Sequence, residues 1–294
     1  MFRINNNLFS INAQRHLFDS SSRVGKSIER LASGLRINRA GDDPAGLGAS
    51  ELMRAQIAGG RQANRNVSQA ISLLQTADSG YEQILNMFTR LKELAVQAAD
   101  GSLGPDSRSA ISLEASQLFQ EMDRVAQSTV FNGVTLVSSA LGVTRFTFFV
   151  GDGSISATSQ QLAVILAGIG VTSGGFICIG SVAGVGSVAT MMITAAFFLT
   201  PASATQLSTQ ISSAITSVAG LRTTIGAYQN RLGRTQLAIQ SAMENAINAE
   251  SIIRDADFAE ETSALTRNQI ITQAGASVLT QANALPQVAL LLLG

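Results

Sequence analysis

The sequence predicts a mainly α fold, in which segments from the two ends of the chain form long antiparallel coiled-coil or helical-bundle rods around a small β-containing central insert. The first observation is an apolar spacing that alternates four and three residues over 207–253. The second is a similar spacing over 67–95. The third is the loss of this spacing in 139–204, where turn signals stand beside β-branched and aromatic residues.

The first and last elements are predicted to be helices that pair with one another. Each carries a stripe of apolar residues at helical spacing, and each stripe needs a facing surface. Pairing the start of the chain with its finish is the simplest closure. The two stripes consist of Val24, Ile28, Leu31 and Leu35, and of Ile271, Ala274, Val278, Ala282 and Leu285.

The second and third helices are predicted to follow a connector at 40–46. Asp43 before Pro44 is typical of an N-cap followed by proline at the first helical position. Asp100 and Gly101 then predict the end of that helix. Its seam, with Asp78 and Lys92 at polar places, comprises Val67, Ile71, Leu74, Tyr81, Leu85, Phe88 and Ala95, and the third helix carries Ile111, Ala115, Leu118, Met122 and Val125.

The centre is predicted to contain short β elements, because Asn132-Gly133 is a hairpin-turn signal and 146–150 reads as a strand before a turn at 151–153. The long C-terminal rod follows. Its seam comprises Leu207, Ile211, Ala214, Val218, Leu221, Ile225, Tyr228, Leu232, Thr235, Ile239, Ala242, Ala246, Ala249 and Ile253. We therefore expect a terminal helical domain (1–42 and 254–294), a helical rod domain with a short β-hairpin (43–138 and 205–253) and a short central domain (139–204).

Composition argues against several classes of function. Twenty basic and twenty acidic residues cancel, so no net field recruits nucleic acid or an anionic membrane. One cysteine (Cys178) and one histidine (His16) do not suffice for a disulfide or a multi-histidine metal site. No phosphate-binding loop or nucleophile elbow is present, so we expect neither an enzyme nor a cofactor. The first eighteen residues lack the apolar region of a cleaved secretion signal.

Several long motifs, in the same order, resemble those of the bacterial flagellins. The resemblance covers about residues 1–138 and 205–294. The matching segments are 3–7 (RINNN), 10–13 (SINA), 31–38 (LASGLRIN), 40–46 (AGDDPAG), 94–97 (LAVQ), 123–125 (DRV), 131–133 (FNG), and the stretch from 252 to 283 that includes Arg254-Asp255-Ala256-Asp257 and Gln281-Ala282-Asn283.

The resemblance implies a secreted subunit that polymerises with copies of itself into the flagellar filament, with its terminal helices lining the filament core. It also implies unfolded export by the flagellar type III system, and an export chaperone, a cap and hook-junction proteins as partners. The residues expected to pack in the polymer core are Leu31, Leu35, Ile271, Val278, Leu285, Leu290, Leu292 and Leu293.

The resemblance also implies recognition by the host's flagellin-sensing Toll-like receptor. The matching residues are Arg90, Glu93, Leu94 and Glu114, with Leu94 expected to be an exposed anchor inside a polar rim. Two alternatives stay open. One is a hook–filament junction protein, and the other is a membrane-inserted pore protein with apolar spans at 162–180 and 182–199. Under the favoured hypothesis neither nucleic acid nor membrane insertion is expected.

Overall fold

The computed structural model describes residues 7–137, 143–151, 161–167, 169–171, 176–179, 190–192 and 198–291. The chain divides into two compact units. Unit 1 contains Met1–Ile57 and Glu244–Gly294, and unit 2 contains Ala58–Met243. The long helices are α1 (Leu8–Ser33), α2 (Pro44–Ala99), α3 (Pro105–Ser128), α4 (Pro201–Arg254) and α5 (Phe258–Leu291). The mainly α fold predicted from the sequence is confirmed.

The ends of α2 lie where the capping signals predict them. The Asp43 side chain accepts a hydrogen bond from the backbone N–H of Gly46 at 2.9 Å, and Pro44 is the first helical residue. The helix ends at Ala99, immediately before Asp100 and Gly101. A local cap therefore fixes the start of the second helix, and its end coincides with the stop predicted from Asp100 and Gly101.

The core of unit 2 lies among α2, α3 and α4. The predicted seam of α4 is buried from Leu207 to Leu232, apart from the half-buried Tyr228, but Ala242 further along is exposed. Asp78, a polar residue in the α2 seam, receives a hydrogen bond from Arg222 Nε of α4 at 2.8 Å. A charged pair at a seam position favours one register of two helices over its neighbours.

Helix α2 buries more than the single predicted seam. A second row of apolar residues is also buried, because α2 contacts α4 through Asp78 and Arg222 and contacts α3 through Arg90 and Glu114. A helix covered by two neighbours needs a wider apolar face than one seam supplies. The second row comprises Ala70, Leu73, Ala77, Ile84, Leu91, Leu94 and Ala98.

The predicted Asn-Gly turn is confirmed in a short hairpin. Strands β1 (Val130–Phe131) and β2 (Val134–Thr135) are antiparallel. Asn132 and Gly133 between them have φ angles of 49° and 80°. Two successive positive φ values are typical of the tight turn that suits the twist of a two-residue hairpin, and glycine accepts such a value without steric cost.

The central strands form two further sheets. Strands β3 (Val143–Phe149) and β4 (Gln161–Ala167) pair antiparallel, which confirms the strand expected at 146–150. Strands β5 (Ile169–Val171), β6 (Phe176–Ile179) and β7 (Thr190–Met192) form an antiparallel sheet in that order. Most of the turn expected at 151–153 lies outside the described residues.

The spans proposed for the membrane alternative do not form helices where the structure describes them. Within 162–180 and 182–199, the described residues lie mainly in strands β4 to β7. None of the described helices has the length and apolar character needed to cross a bilayer. Among all the described residues, no three or more His, Cys, Asp or Glu side chains are grouped so that they could hold a metal ion.

Candidate functional site

The terminal helices of unit 1 pack antiparallel through small and polar side chains. Ser20 Oγ of α1 donates to the carbonyl of Asn268 at 3.1 Å and lies 2.9 Å from Thr272 Oγ1. Near the start of α1, Asn7 Nδ2 donates to the carbonyl of Ala282 at 2.8 Å. The buried residues of α1 are all serines, namely Ser10, Ser20 and Ser27. The pairing of start with finish is confirmed, but it does not rest on an apolar seam.

Many of the large apolar side chains of unit 1 instead face outward. Phe18 on α1 is 75% exposed, and most other exposed large apolar residues of the described chain also lie in this unit. They include Leu8, Phe9, Ile11, Phe18, Ile28, Leu52, Ile252, Phe258, Ile270, Ile271 and Val278. Among the described residues, the buried apolar residues of unit 1 are only Ile37, Ile57 and Ala282. Unit 1 thus presents on its surface the side chains that normally form a core.

The residues predicted for polymer packing divide into three groups. Leu31 and Leu35 are half-buried within the single chain, and Ile271 and Val278 are exposed. The expectation that the two terminal stripes cover each other is therefore wrong for Ile28, Ile271 and Val278, because serines occupy the contact and let the helices approach closely. The side chains of Leu285 and Leu290, and the whole of Leu292 and Leu293, lie outside the described residues.

The segment between α1 and α2, which includes the predicted connector at 40–46, also contacts the segment between α4 and α5. The backbone N–H of Arg36 donates to the carbonyl of Arg254 at 2.7 Å, and the N–H of Ala256 donates to the carbonyl of Gly34 at 3.0 Å. These two backbone hydrogen bonds join the segment after α1 to the segment between α4 and α5 within unit 1. The stretch that precedes the connector is therefore held by backbone hydrogen bonds rather than left as an open loop.

Asp42 organises the turn of the connector. Its carboxylate lies 2.7 Å from Lys26 Nζ and accepts backbone hydrogen bonds from Asn38 and Arg39. The hydrogen bond from Lys26, followed by the bond from the Arg39 N–H, lowers the pKa of Asp42 to about 2. At Gly46 a Cβ would lie 2.4 Å from Asp43 Oδ2, so a larger residue would disturb the helix cap.

The residues predicted for receptor recognition form an exposed ion-pair cluster on unit 2. Arg90 donates from Nη2 to Glu114 Oε1 at 2.7 Å and from Nη1 to Glu93 Oε2 at 2.9 Å. Its pKa is raised above the ordinary value, first by the hydrogen bond to Glu114 and then by the bond to Glu93. The cluster joins α2 to α3 and leaves all three charged side chains in contact with solvent.

Leu94 corrects one expectation about this surface. It was expected to be an exposed anchor, but it is only 1% exposed and belongs to the core cluster of unit 2. The reason is that α2 is buried on two sides, so the row containing Leu91, Leu94 and Ala98 faces inward. Within the single chain, Leu94 is therefore a core residue of unit 2, while the charged residues near it in sequence stay exposed.

Several exposed apolar residues were missed by reasoning from the sequence. Phe9 and Phe18 on α1 and Ile270 on α5 do not belong to the predicted stripes. A usable signal exists, because serines at the contact positions of α1 leave large apolar residues to point elsewhere. The unusual feature is a helix whose polar side faces its partner.

Comparisons with known proteins agree with this architecture. The bacterial flagellin N-terminal helical region matches residues 4–140, and the bacterial flagellin C-terminal helical region matches residues 208–293. The flagellar filament 30.7 kDa core protein of Treponema maltophilum is 37% identical over 290 residues, covering 99% of each chain. The flagellin of Bacillus subtilis is 37% identical over 311 residues, also covering 99% of each chain.

A solved structure shares the fold at low sequence identity. It is that of a putative flagellar hook-associated protein from Vibrio parahaemolyticus, with a TM-score of 0.51 and 13% identity. The match covers 72% of the present chain and 99% of the other. Together with the two matched regions and the full-length relatives, the helical architecture leads to one conclusion: this chain belongs to the bacterial flagellin family.

Proposed function

We propose that the protein is a structural subunit that assembles with copies of itself into the helical filament of the bacterial flagellum. The observation that carries this proposal is the exposure of large apolar side chains on both terminal helices of unit 1. Full-length relatives at 37% identity are named as flagellar filament core protein and flagellin, which supports the same role.

The energetics favour association over an isolated subunit. Fully burying one large apolar side chain gains about 1.5–3 kcal/mol. Phe9, Phe18 and Ile270 alone therefore offer several kcal/mol to a contact that covers them. A head-to-tail contact between different surfaces that does not close on itself produces a helical filament. The function proposed is thus mechanical and architectural, without turnover of a substrate.

An assembly assay with matched variants tests this proposal. Ile270 is 61% exposed on α5, and Leu113 is 65% exposed on α3 of unit 2. Ile270→Asp is expected to raise the critical concentration for seeded polymerisation at least tenfold, because it places a charge in the covered surface. Ile270→Leu and Leu113→Asp are expected to polymerise like the wild-type chain. Normal polymerisation of Ile270→Asp, with filaments of normal form, would remove the basis of the proposal.

We further propose secretion by the flagellar type III system, with an export chaperone, the filament cap and hook-junction proteins as transient partners. Membership of the flagellin family supports this route. The hook–filament junction alternative is less well supported, because its structural match is only 13% identical whereas the relatives named as filament proteins match over the full length. Sheared flagella are expected to contain the protein as their main component, whereas a junction protein would be scarce in them.

Recognition by the host's flagellin-sensing Toll-like receptor is also proposed for the Arg90, Glu93 and Glu114 cluster. Its exposed, geometrically ordered charges are suited to the rim of an interface. Arg90→Ala is expected to weaken binding of the monomer to the receptor ectodomain, while Arg124→Ala, which removes a comparable exposed ion pair on α3, is expected to leave binding unchanged. Equal binding by both variants would contradict this assignment.

A further inference from the structure

We propose that a basic surface on unit 2 of one copy binds an acidic surface on unit 1 of a neighbouring copy. The basic surface consists of Arg61, Arg65, Arg234 and Leu237. The acidic surface consists of Ile252, Asp257, Phe258 and Glu260. This inference rests on the proposed function, because it names the side chains through which two assembling copies meet.

The members of the basic surface are exposed and lie at neighbouring levels of the antiparallel pair α2 and α4. A Cβ at Gly60 of α2 would lie 2.7 Å from Met243 Cγ of α4, so Arg61 lies at the level of this contact. Arg234 and Leu237 are three residues apart and share one face of α4. The Gly60–Met243 contact and the Asp78–Arg222 hydrogen bond set the antiparallel register of the two helices, and this register places Arg65 of α2 at about the level of Leu237 of α4.

The charge of the basic surface is not neutralised within the described part of the chain. The guanidinium of Arg65 donates to Gln62 Oε1, a neutral acceptor, at 3.0 Å from Nε. Arg61 and Arg234 have no carboxylate partner among the described residues. The surrounding segments, 55–77 and 223–243, contain no aspartate or glutamate at all. Leu237, which is 66% exposed, adds an apolar side chain to this positively charged surface.

The acidic surface has the complementary composition. Ile252 at the end of α4 is 79% exposed, and Phe258 at the start of α5 is also exposed. Asp257 caps α5 by accepting a hydrogen bond from the Ala259 N–H at 2.8 Å, and Glu260 has no cationic partner among the described residues. The helix dipole favours an acidic residue such as Glu260 in the first turn of α5, but it does not account for the exposed apolar side chains of Ile252 and Phe258 in the same stretch of chain.

A second copy of the chain suits both surfaces better than other partners. A nucleic acid would satisfy the arginines but would leave Ile252 and Phe258 uncovered. Each surface combines exposed apolar side chains with charged ones, and the two surfaces have charges of opposite sign. The apolar side chains can therefore be buried between two copies, while the charges set the register of the contact. Because the two surfaces differ, the contact is heterologous, and each copy keeps one free surface for the next copy.

Reciprocal charge reversal tests the pairing in the full-length chain. Arg234→Glu and Glu260→Arg are each expected to raise the critical concentration for seeded polymerisation about tenfold, because each places like charges in contact. Both changes in one chain are expected to restore it to within about twofold of wild type. Arg145→Glu, an exposed arginine of β3 without a charged partner among the described residues, is the matched control and should change it less than about twofold.

Because Glu260 lies in the first turn of α5, Glu260→Gln provides a second variant that removes the charge while keeping a good helix former. It is expected to raise the critical concentration several-fold at low salt and to have less effect at high salt. If the wild-type chain polymerises but the single reversals do not impair it, or the double reversal does not restore it, this pairing is wrong while the proposed function stands. If the wild-type chain does not polymerise under any seeding condition, the proposed function itself fails.

Discussion

Replacing Leu94 separates a supporting role from a contact role at the proposed receptor surface. Leu94 is 1% exposed inside the unit 2 core, so Leu94→Ala removes buried methyl groups and leaves a cavity. Such truncations cost about 2–5 kcal/mol. For a domain of this size each kcal/mol lowers the melting temperature by about 2–4 °C, so the expected decrease is about 4–20 °C. Thermal unfolding followed by far-ultraviolet circular dichroism measures it.

Val96 provides the control, because it lies two residues further along the same helix but is exposed. Val96→Ala is expected to change stability by less than about 0.5 kcal/mol. Receptor binding by Leu94→Ala, measured well below its melting temperature, should remain close to that of the wild-type chain. A Leu94→Ala variant that melts like the wild-type chain but no longer binds receptor would show that Leu94 is an exposed anchor after all.

Three further predictions concern the connections between elements. Arg108 is buried and donates to the carbonyls of Leu103, Ala98 and Asp100. In urea unfolding, Arg108→Met should therefore destabilise unit 2 by about 3–5 kcal/mol. Arg124→Met, which removes an exposed ion pair on the same helix, should cost at most about 1 kcal/mol. The depressed pKa of Asp42 contributes stability that is present above pH 3.8 and is lost as the pH falls to about 2, so the stability difference between the wild-type chain and Asp42→Asn should shrink over that range in acid titration. Gly133→Val should destabilise the β1–β2 hairpin by at least about 1 kcal/mol, seen as faster amide exchange, because a β-branched residue resists φ of 80°.

Much of the fold was predictable because local chemistry and periodicity agree along most of the chain. The Asp43 cap, the end of α2 before Asp100 and the Asn132–Gly133 turn each depend on a few neighbouring residues. The second buried row of α2 was not predicted, because one helix pair accounts for one seam and the third helix was not assigned a position. The exposed Ala242 was missed for a related reason, since one seam was extended along the whole of α4.

The candidate site was harder to predict than the fold. An apolar stripe on a helix indicates that something covers it, but not whether the cover is the same chain or another copy. The serines at the α1–α5 contact decide this question for unit 1, because they occupy the places where a core would be. For Leu94, its neighbourhood of charged residues in the sequence suggested exposure, whereas three-dimensional packing on two sides buries it.

The central claim is that copies of the chain cover the apolar faces of the terminal helices. Hydroxyl-radical labelling of Phe18 and Phe258, before and after seeded polymerisation, tests it directly, with the exposed Val96 of unit 2 as an internal reference. Both phenylalanines should label readily in the monomer and become strongly protected in the polymer. Polymer in which both residues label as fast as in the monomer would contradict the claim.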